Sequence, residues 1–400
     1  MNKTIVFIGI LSLLYSCAQK DKKVTSEEGV FPNTTAVEKR NDAPFHINLD
    51  QDFPNKRIRL QDIADVKYIK LQSSNDVLLD NTASFHISDS CIIACNSVHD
   101  FLVFDTAGNI KTHFNHTGGG GEEYSSYVFG WIYDDRKNEL FVLDRWKKIL
   151  VYSNSGKFKR KLVFQPNYKV DVIFNYDENT LLAHRQNNLE KKQDRTRDGY
   201  DYVFLSKHDG TIVSTVNIRQ PNSMPLIKKE IVVFIPSKCI VKDGQDYIIT
   251  DHALDTVYQI LNNKQLIPFL IREPSVFKTS PSIFLDVFMK TDRYVFFLKT
   301  IFDNDSAKPR GLIDIKDLVL DMKTNEVTSL KFYNADFPKR NLENQSLVPN
   351  EIGKNMGART FEAFELIEAY KKGELNGPLK EIASTLNEDD NPVLMILRFK

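Results

Sequence analysis

The chain reads Phe101-Leu-Val-Phe-Asp-Thr-Ala-Gly108-Asn-Ile-Lys-Thr-His-Phe114, which is an apolar strand, a polar turn that ends in glycine, and a strand of alternating character. The same order returns at residues 149–162 and 202–216, and weaker copies turn at Asn263 and Asn325. The successive turns at residues 108, 156, 210, 263 and 325 lie 48, 54, 53 and 62 residues apart. Because glycine and asparagine tolerate the positive φ of tight turns, the repeat predicts a recurring β-hairpin.

Two further short strands precede each hairpin, for example at residues 128–134 and 139–144. Four strands in about fifty residues are typical of one blade of a β-propeller. A β-sandwich of irregular strands is the alternative, but it does not explain a repeat that keeps the same internal order. Five such blades lie between Ala83 and Tyr333.

The two ends of the propeller sequence contain the strands that would close a ring. An open propeller would leave two unpaired sheet edges, so we expect residues 66–71 and 392–400 to pair in a sixth blade. Apolar residues at helical spacing predict a short helical insertion over residues 358–387, packed on the last blade. The expected fold is all-β: a six-bladed propeller of four-stranded blades over residues 56–400, closed by its N- and C-terminal strands.

The N-terminal segment has the pattern of an export signal. Lys3 precedes an apolar run that is too short to span a bilayer and has the length found in signal peptides. Leu14-Tyr15-Ser16-Cys17 resembles the bacterial lipobox, in which the cysteine is lipidated after cleavage. We therefore predict a signal peptide at residues 1–16, a lipid anchor at Cys17 and a flexible tether over residues 17–55. A signal peptide with an incidental cysteine is the alternative.

Composition limits the classes of partner. The 53 Lys and Arg residues equal the 53 Asp and Glu residues, so the basic excess usual in nucleic-acid-binding proteins is missing. Cys91, Cys95 and Cys239 are expected to be small apolar core residues, and no metal-ligand spacing is present. We predict no cofactor and no nucleic-acid partner.

Several segments resemble a known family, the six-bladed β-propeller lipoproteins of Bacteroides-type bacteria, which are similar in shape to NHL-repeat propellers. The similarity runs over residues 66–400 and rests on the following segments: residues 68–71, Phe104-Asp105 with Gly108, the Gly-rich turn 118–124, Leu143-Asp144-Arg145 with Ile149, and residues 388–394. The polar stretch after Cys17 looks like the signal that sends such lipoproteins to the outer face of the outer membrane. The resemblance implies the propeller fold and an envelope location, and it implies little about the ligand.

Strand direction sorts the loops of a propeller into two faces. Connections between second and third strands share one face with connections between blades, and we call this the loop face; the hairpin turns, such as those at Gly108 and Gly156, lie on the turn face. Polar and aromatic residues collect on the loop face around the central channel, so we predict that a ligand binds there. The candidate residues are Asn96, His99, Glu122, Asp144, Arg145, Trp146, Arg185, Asp251 and His252.

Each candidate also has a simpler structural interpretation. Asp144 and Asp251 directly follow strands, where aspartate commonly caps a turn. His99 and His252 are interpreted as solvated loop residues, and Trp146 as a cover for a neighbouring blade. Residues 118–121 could suggest a phosphate cradle, but a glycine run without a following helix and lysine is weak support, and a flexible link between blades explains it. The charged run at residues 190–198 is interpreted as a solvated excursion.

Two functions remain open. The first is a binding or assembly protein of the envelope that presents its channel face to a glycan, peptide or protein. The second is a metal-dependent lactonase or lyase, which would need Ca or Zn held at the channel mouth by Asn96, His99, Asp144, Asp251 and His252. The lack of a complete catalytic constellation favours the binding protein.

Overall fold

The computed structural model of the protein describes residues 43–74, 76–164, 168–185, 202–218, 227–228, 231–232, 240–251, 254–276, 278–302, 312–342, 347 and 351–400. The first half contains β1 (Phe45–Asn48), β2 (Asn55–Arg59), α1 (Leu60–Ile63), β3 (Ala64–Lys70), β4 (Ser84–Ile87), β5 (Ile92–Cys95), β6 (Phe101–Phe104), β7 (Ile110–Phe114), β8 (Val128–Asp134), β9 (Glu139–Asp144), β10 (Lys148–Ser153), β11 (Phe158–Val163), β12 (Val170–Asn175), β13 (Thr180–Arg185), β14 (Tyr202–Ser206) and β15 (Ile212–Thr215). The second half contains β16 (Ile227–Lys228), β17 (Ile231–Val232), β18 (Ile240–Asp243), β19 (Asp246–Ile249), β20 (Thr256–Ile260), β21 (Leu266–Glu273), β22 (Ser282–Lys290), β23 (Tyr294–Phe302), β24 (Leu312–Asp321), β25 (Glu326–Asn334), β26 (Phe337–Leu342), β27 (Glu351–Ile352), β28 (Met356–Phe361), α2 (Ala363–Lys371), α3 (Gly377–Ala383) and β29 (Val393–Phe399).

These strands form a six-bladed β-propeller, as the repeat predicts. Blade 1 is β4–β7, blade 2 is β8–β11, blade 3 is β12–β15, blade 4 is β18–β21 and blade 5 is β22–β25, each antiparallel and ordered along the chain. Apolar side chains of adjacent blades meet in shared clusters; Ile132 and Phe141 of blade 2, for example, pack with Ile173 and Leu181 of blade 3. The core is therefore a ring of interfaces between sheets.

The sixth blade closes the ring with both ends of the propeller, and this prediction is confirmed. Strand β29 pairs antiparallel with β3 along its whole length, with Val393 opposite Lys70 and Leu397 opposite Val66. This blade has three strands, β28, β29 and β3, where four are expected. The strand that would lie innermost, β27, pairs instead in parallel with β4 of blade 1.

The segment before β3 is part of the fold, so the predicted tether is wrong over residues 43–55. Strand β1 adds in parallel to the outer strand β21 of blade 4, and β2 adds in parallel to β25 of blade 5. Phe45, Ile47 and Leu49 are buried. Three apolar side chains alternate with polar ones in this segment, which is the spacing that one face of a strand requires. The many polar residues around them led to the prediction of a tether. The propeller thus begins before residue 56.

The predicted short helices near the C-terminus are confirmed, but they begin later in the chain than predicted. Residues 358–361 belong to strand β28, and the helices are α2 and α3. Leu366 and Leu379 are fully buried against Phe332 of blade 5 and Val393 of blade 6, so the helices cover these two blades. No helix in the described part of the chain is long and apolar enough to span a membrane.

The hairpin turns between the third and fourth strands pack closely against the preceding blade. Gly108, Gly156 and Gly210 have φ of +92°, +80° and +82°. A Cβ on Gly156 would lie 2.6 Å from Phe114 Cγ of blade 1, and one on Gly210 would lie 3.0 Å from Leu162 Cβ of blade 2. These turns therefore need glycine both for their backbone conformation and for the close approach. In the fourth blade the positive φ falls on Lys264 rather than on Asn263.

A half-buried ion pair on the turn face joins blade 1 to blade 2 and makes stability depend on acid. Asp135 Oδ2 lies 3.0 Å from Nε2 of His86. Burial raises the pKa of Asp135, but the hydrogen bond and charge of His86 outweigh this and lower it to about 2. A carboxyl whose pKa falls on folding stabilises the fold above its ordinary pKa of 3.8, and this contribution is lost as the pH falls towards 2.

We expect Asp135→Asn to remove about 1 kcal/mol of the acid-induced loss of stability, because the carboxylate is 38% exposed and solvent screens the pair. Urea unfolding of both proteins near neutral pH and near pH 3 measures this difference. The control is Asp89→Asn, whose side chain is 95% exposed. An unchanged acid response in Asp135→Asn would contradict the prediction.

Candidate functional site

Asn96 stabilises the turn between β5 and β6 of blade 1, which lies on the loop face. The Asn96 side-chain oxygen accepts hydrogen bonds from the N–H groups of Val98 and Asp100 at 3.2 and 2.8 Å, and its amide nitrogen donates to the carbonyl of Leu78 at 3.1 Å. Asn96 is buried. Its polar atoms are therefore committed to the turn, and the residue shapes the site rather than facing a ligand.

His99 links this turn to the connection between blades 1 and 2. Its backbone has a φ of +66°, and its carbonyl accepts a hydrogen bond from Tyr124 Oη at 3.0 Å. Burial lowers the pKa of the His99 imidazole, and the carboxylates of Asp100 and Asp144 oppose that shift. The Glu122 carbonyl accepts a hydrogen bond from Tyr152 Oη at 2.7 Å, while the side chain of Glu122 is exposed.

Asp144 is a buried carboxylate that ties the same connection to blade 2. Its Oδ1 accepts hydrogen bonds from the N–H and the hydroxyl of Ser125, and its Oδ2 lies 3.1 Å from Lys148 Nζ. The side chain is 2% exposed, so it is held by partners on both oxygens. The interpretation of Asp144 as a simple cap of its own turn is incomplete, because its side chain fixes a loop nineteen residues earlier.

The next two residues adopt a backbone conformation that L-amino acids rarely take. Arg145 and Trp146 have φ of +51° and +59°, in a turn closed by the Lys147 N–H and the Asp144 carbonyl at 3.1 Å. Left-handed backbone costs roughly 1–2 kcal/mol per residue for side chains of this kind. Such residues cluster at functional sites, where the surrounding structure holds them in place. The turn therefore presents Arg145 and Trp146 at an energetic cost.

Three aromatic residues on the loop face form a group that we call the aromatic platform: Tyr127, Phe129 and Trp146. Tyr127 directly precedes strand β8, Phe129 belongs to it, and Trp146 is half-buried in the turn after β9. The rings of Phe129 and Trp146 stack with centroids 3.8 Å apart. The Arg145 guanidinium lies 5.5 Å from the centre of the Tyr127 ring, and Lys169 Nζ lies 5.7 Å from that of Trp146. Tyr127 is 62% exposed and Phe129 is 40% exposed, so the platform offers free aromatic surface on the loop face.

Tyr127 and Phe129 were missed as candidates from the sequence. Tyr127, Phe129, Trp131 and Tyr133 alternate along the chain, which predicts one continuous face of a strand. The register shifts between Val128 and Gly130, and this β-bulge separates Phe129 from the buried Trp131. Bulges re-aim side chains next to functional sites. The alternation of aromatic residues was the sequence feature that could have identified Tyr127 and Phe129. It does not predict the bulge, which separates these two residues from the buried ones.

The remaining candidates lie in other blades. Arg185 is buried at the end of β13, with its guanidinium 4.3 Å from the centre of the Tyr168 ring. Asp251 accepts a hydrogen bond from Tyr202 Oη at 3.0 Å, and His252 lies outside the described residues. A half-buried pair in blade 3, in which His184 Nδ1 is 2.7 Å from Asp171 Oδ1, was also missed from the sequence.

The described residues do not form the metal centre that the enzyme alternative requires. Within them, no three His, Cys, Asp or Glu side chains are grouped so that they could hold a metal ion. Asn96 and Asp144, two of its proposed ligands, direct their oxygens to backbone N–H groups, Ser125 and Lys148. Their geometry supports the structure of the loop face.

Comparison with a solved structure agrees with the fold. A Bacteroides fragilis protein with the provisional name of an exported protein is 16% identical, and the match covers 89% of this chain and 99% of that chain with a TM-score of 0.61. A member of the DUF4221 family from Bacteroides vulgatus is 11% identical over 85% of this chain and 99% of that chain, with a TM-score of 0.49. No curated protein matches the sequence. The model of a family described as a domain of unknown function, DUF4934, matches residues 44–398, and the chain therefore belongs to the DUF4934 family.

Proposed function

We propose that this protein is a glycan-binding lipoprotein of the cell envelope and that the aromatic platform receives the sugar. The observation that carries the proposal is the exposure of Tyr127 and Phe129 beside Trp146, in a turn whose backbone is held at a cost. A contiguous patch of exposed aromatic side chains, unlike apolar residues that are exposed singly, is typical of an interaction surface.

A glycan suits this surface because pyranose rings have flat apolar faces lined with C–H groups. The face of an aromatic ring is electron-rich, so it attracts the partial positive charge of such hydrogens. Arg145 and Lys169 beside the rings can donate hydrogen bonds to hydroxyl groups at the rim of a sugar. Aromatic residues and arginine also dominate contacts between proteins, so a protein or peptide ligand is the competing outcome of the test below.

The envelope location rests on the lipobox-like segment that ends at Cys17 and on the export named for the relative from Bacteroides fragilis. The predicted tether joins the propeller close to Ala43, which lines a groove with Asp292 and Arg293 of the turn face. The aromatic platform lies on the opposite, loop face. In this arrangement the tether is attached on the face opposite the platform and leaves the platform accessible to a ligand.

We expect Trp146→Ala to weaken glycan binding by about 10- to 100-fold, because truncating a central aromatic contact typically costs about 2 kcal/mol. A glycan array with residues 18–400 identifies the sugar, and calorimetry then compares the variants. Tyr127→Ala is a second test that leaves the strained turn in place.

The matched controls are Phe364→Ala and Tyr370→Ala, since these aromatic side chains are 56% and 39% exposed on α2. Neither control should change binding. The proposal fails if the platform variants bind glycans as well as the unchanged protein does. It also fails if the platform substitutions reduce binding to a peptide array and leave binding to the glycan array unchanged.

A further inference from the structure

A basic groove adjoins the aromatic platform on the outer side of blade 2. It has a volume of about 480 Å³ and is lined by the glycine run 118–120, by Arg145 and Lys147 of the strained turn, and by Lys148, Lys161 and Val163 of β10 and β11. Arg145 belongs to both surfaces, since its guanidinium also lies over the Tyr127 ring. The groove and the platform are therefore continuous through this residue.

Charge in the groove is unbalanced. Its four cationic residues face two carboxylates, Glu123 and Asp144. Asp144 is already paired with Lys148 at 3.1 Å. Among the residues that the structure describes, no carboxylate forms an ion pair with Arg145, Lys147 or Lys161, and all three are exposed. The groove thus holds three cations that a ligand can neutralise.

The second carboxylate shows what the groove can hold. Glu123 Oε2 accepts a hydrogen bond from the Gly120 N–H at 2.7 Å, so the backbone of the glycine run already binds a carboxylate from within the chain. Backbone N–H groups in glycine-rich turns form concavities that favour anions. Glu123 is itself exposed, and a ligand carboxylate can occupy its place.

We propose that the basic groove binds the carboxylate groups of an acidic glycan, a polymer of uronic acids, whose sugar rings extend onto the aromatic platform. This inference rests on the proposed function, because the platform supplies the ring contacts. A uronic acid carries the two features that the combined surface matches: an apolar ring face for Trp146 and a planar carboxylate for Arg145, which binds such groups with two parallel hydrogen bonds. Val163, 58% exposed, adds apolar surface within the groove.

The test uses tetragalacturonate and its fully methyl-esterified form, which share ring geometry and differ in charge. Calorimetry with residues 18–400 should show binding of the acid that weakens with salt, and at least about tenfold weaker binding of the ester. The double substitution Lys147→Gln and Lys161→Gln should weaken binding of the acid about tenfold and leave the ester unaffected. Lys339→Gln is the control, since Lys339 is 70% exposed and pairs with Glu374.

Glu123→Gln gives an outcome that damage to the fold would not produce. The amide oxygen can still accept the Gly120 N–H, but the negative charge is gone, so tetragalacturonate should bind about threefold more tightly. Equal binding of acid and ester that depends on Trp146 would overturn the groove inference and leave the proposed function intact. Failure of both probes to bind, while the glycan array reports a neutral sugar, also overturns the inference alone; a blank glycan array overturns both.

Discussion

Replacing Lys207 with alanine is expected to lower the free energy of unfolding by about 3–5 kcal/mol. Lys207 Nζ lies 2.6 Å from Asp134 Oδ2, and it donates hydrogen bonds to Asn175 Oδ1 and the Asp177 carbonyl, both at 2.5 Å. The side chains of Lys207 and Asp134 are 2% and 1% exposed. Removing the lysine leaves the Asp134 carboxylate buried without its counter-ion, and burial of an unpaired charge is among the largest single penalties known in proteins.

This pair also joins two blades, since Lys207 follows β14 of blade 3 and Asp134 ends β8 of blade 2. Burial lowers the pKa of Lys207, and the hydrogen bond and charge of Asp134 oppose that shift. Urea unfolding measures the change in stability. Lys339→Ala is the matched control, because its exposed pair with Glu374 should contribute at most about 1 kcal/mol.

A double variant separates the cost of a buried charge from the value of the pair. Replacing Lys207 with methionine and Asp134 with leucine together should recover much of the stability that Lys207→Ala loses, since apolar residues of similar volume often replace buried ion pairs at little cost. Equal losses in Lys207→Ala and Lys339→Ala would show that the Lys207 site is solvated, which would refute the prediction.

The second large effect is expected at Gly108, where the N-terminal strand of the closing blade meets blade 1. A Cβ at this position would collide with the carbonyl oxygen of Lys70 and lie 2.7 Å from Ile69 Cγ2. The φ of Gly108 is +92°, which other residues adopt only with strain. We expect Gly108→Ala to cost about 3 kcal/mol, the sum of backbone strain and overpacking.

Gly373→Ala is the control that measures the cost of backbone strain without overpacking. Gly373 also has a positive φ, +67°, but a Cβ there meets no atom within 4 Å. It should cost about 1 kcal/mol. Thermal and urea unfolding of both variants test the comparison, and a Gly108→Ala loss no greater than that of Gly373→Ala would mean that β3 does not hold this turn tightly.

The ring closure could be predicted because it depends on local patterns and a general constraint. Residues 66–71 alternate, residues 392–400 form an apolar strand, and an unclosed propeller exposes sheet edges. Strands β1 and β2 could not be predicted in the same way, since their partners β21 and β25 lie more than two hundred residues away. Parallel addition to an outer edge leaves no hairpin and no turn residue near the strand to reveal it.

Only part of the candidate site could be predicted from the sequence. Arg145 and Trp146 follow a strand in a connection that strand direction places on the loop face, so they could be chosen from the sequence. Asn96 and Asp144 were chosen for their polar side chains, yet these side chains are turned inward to hold loops. Whether a polar side chain faces a ligand or its own backbone depends on loop conformation, which residue type does not determine.

Taken by itself, the sequence determined the number of repeated blades, the face on which each connection lies and the place where the ring closes. These features follow from periodicity and from the need of every interior strand for a partner. Only the tertiary structure decided that Tyr127 and Phe129 join Trp146 and that Arg145 links them to a basic groove. A bulge in β8 and two left-handed residues create that surface, and residue type determines neither the position of a bulge nor the sign of φ.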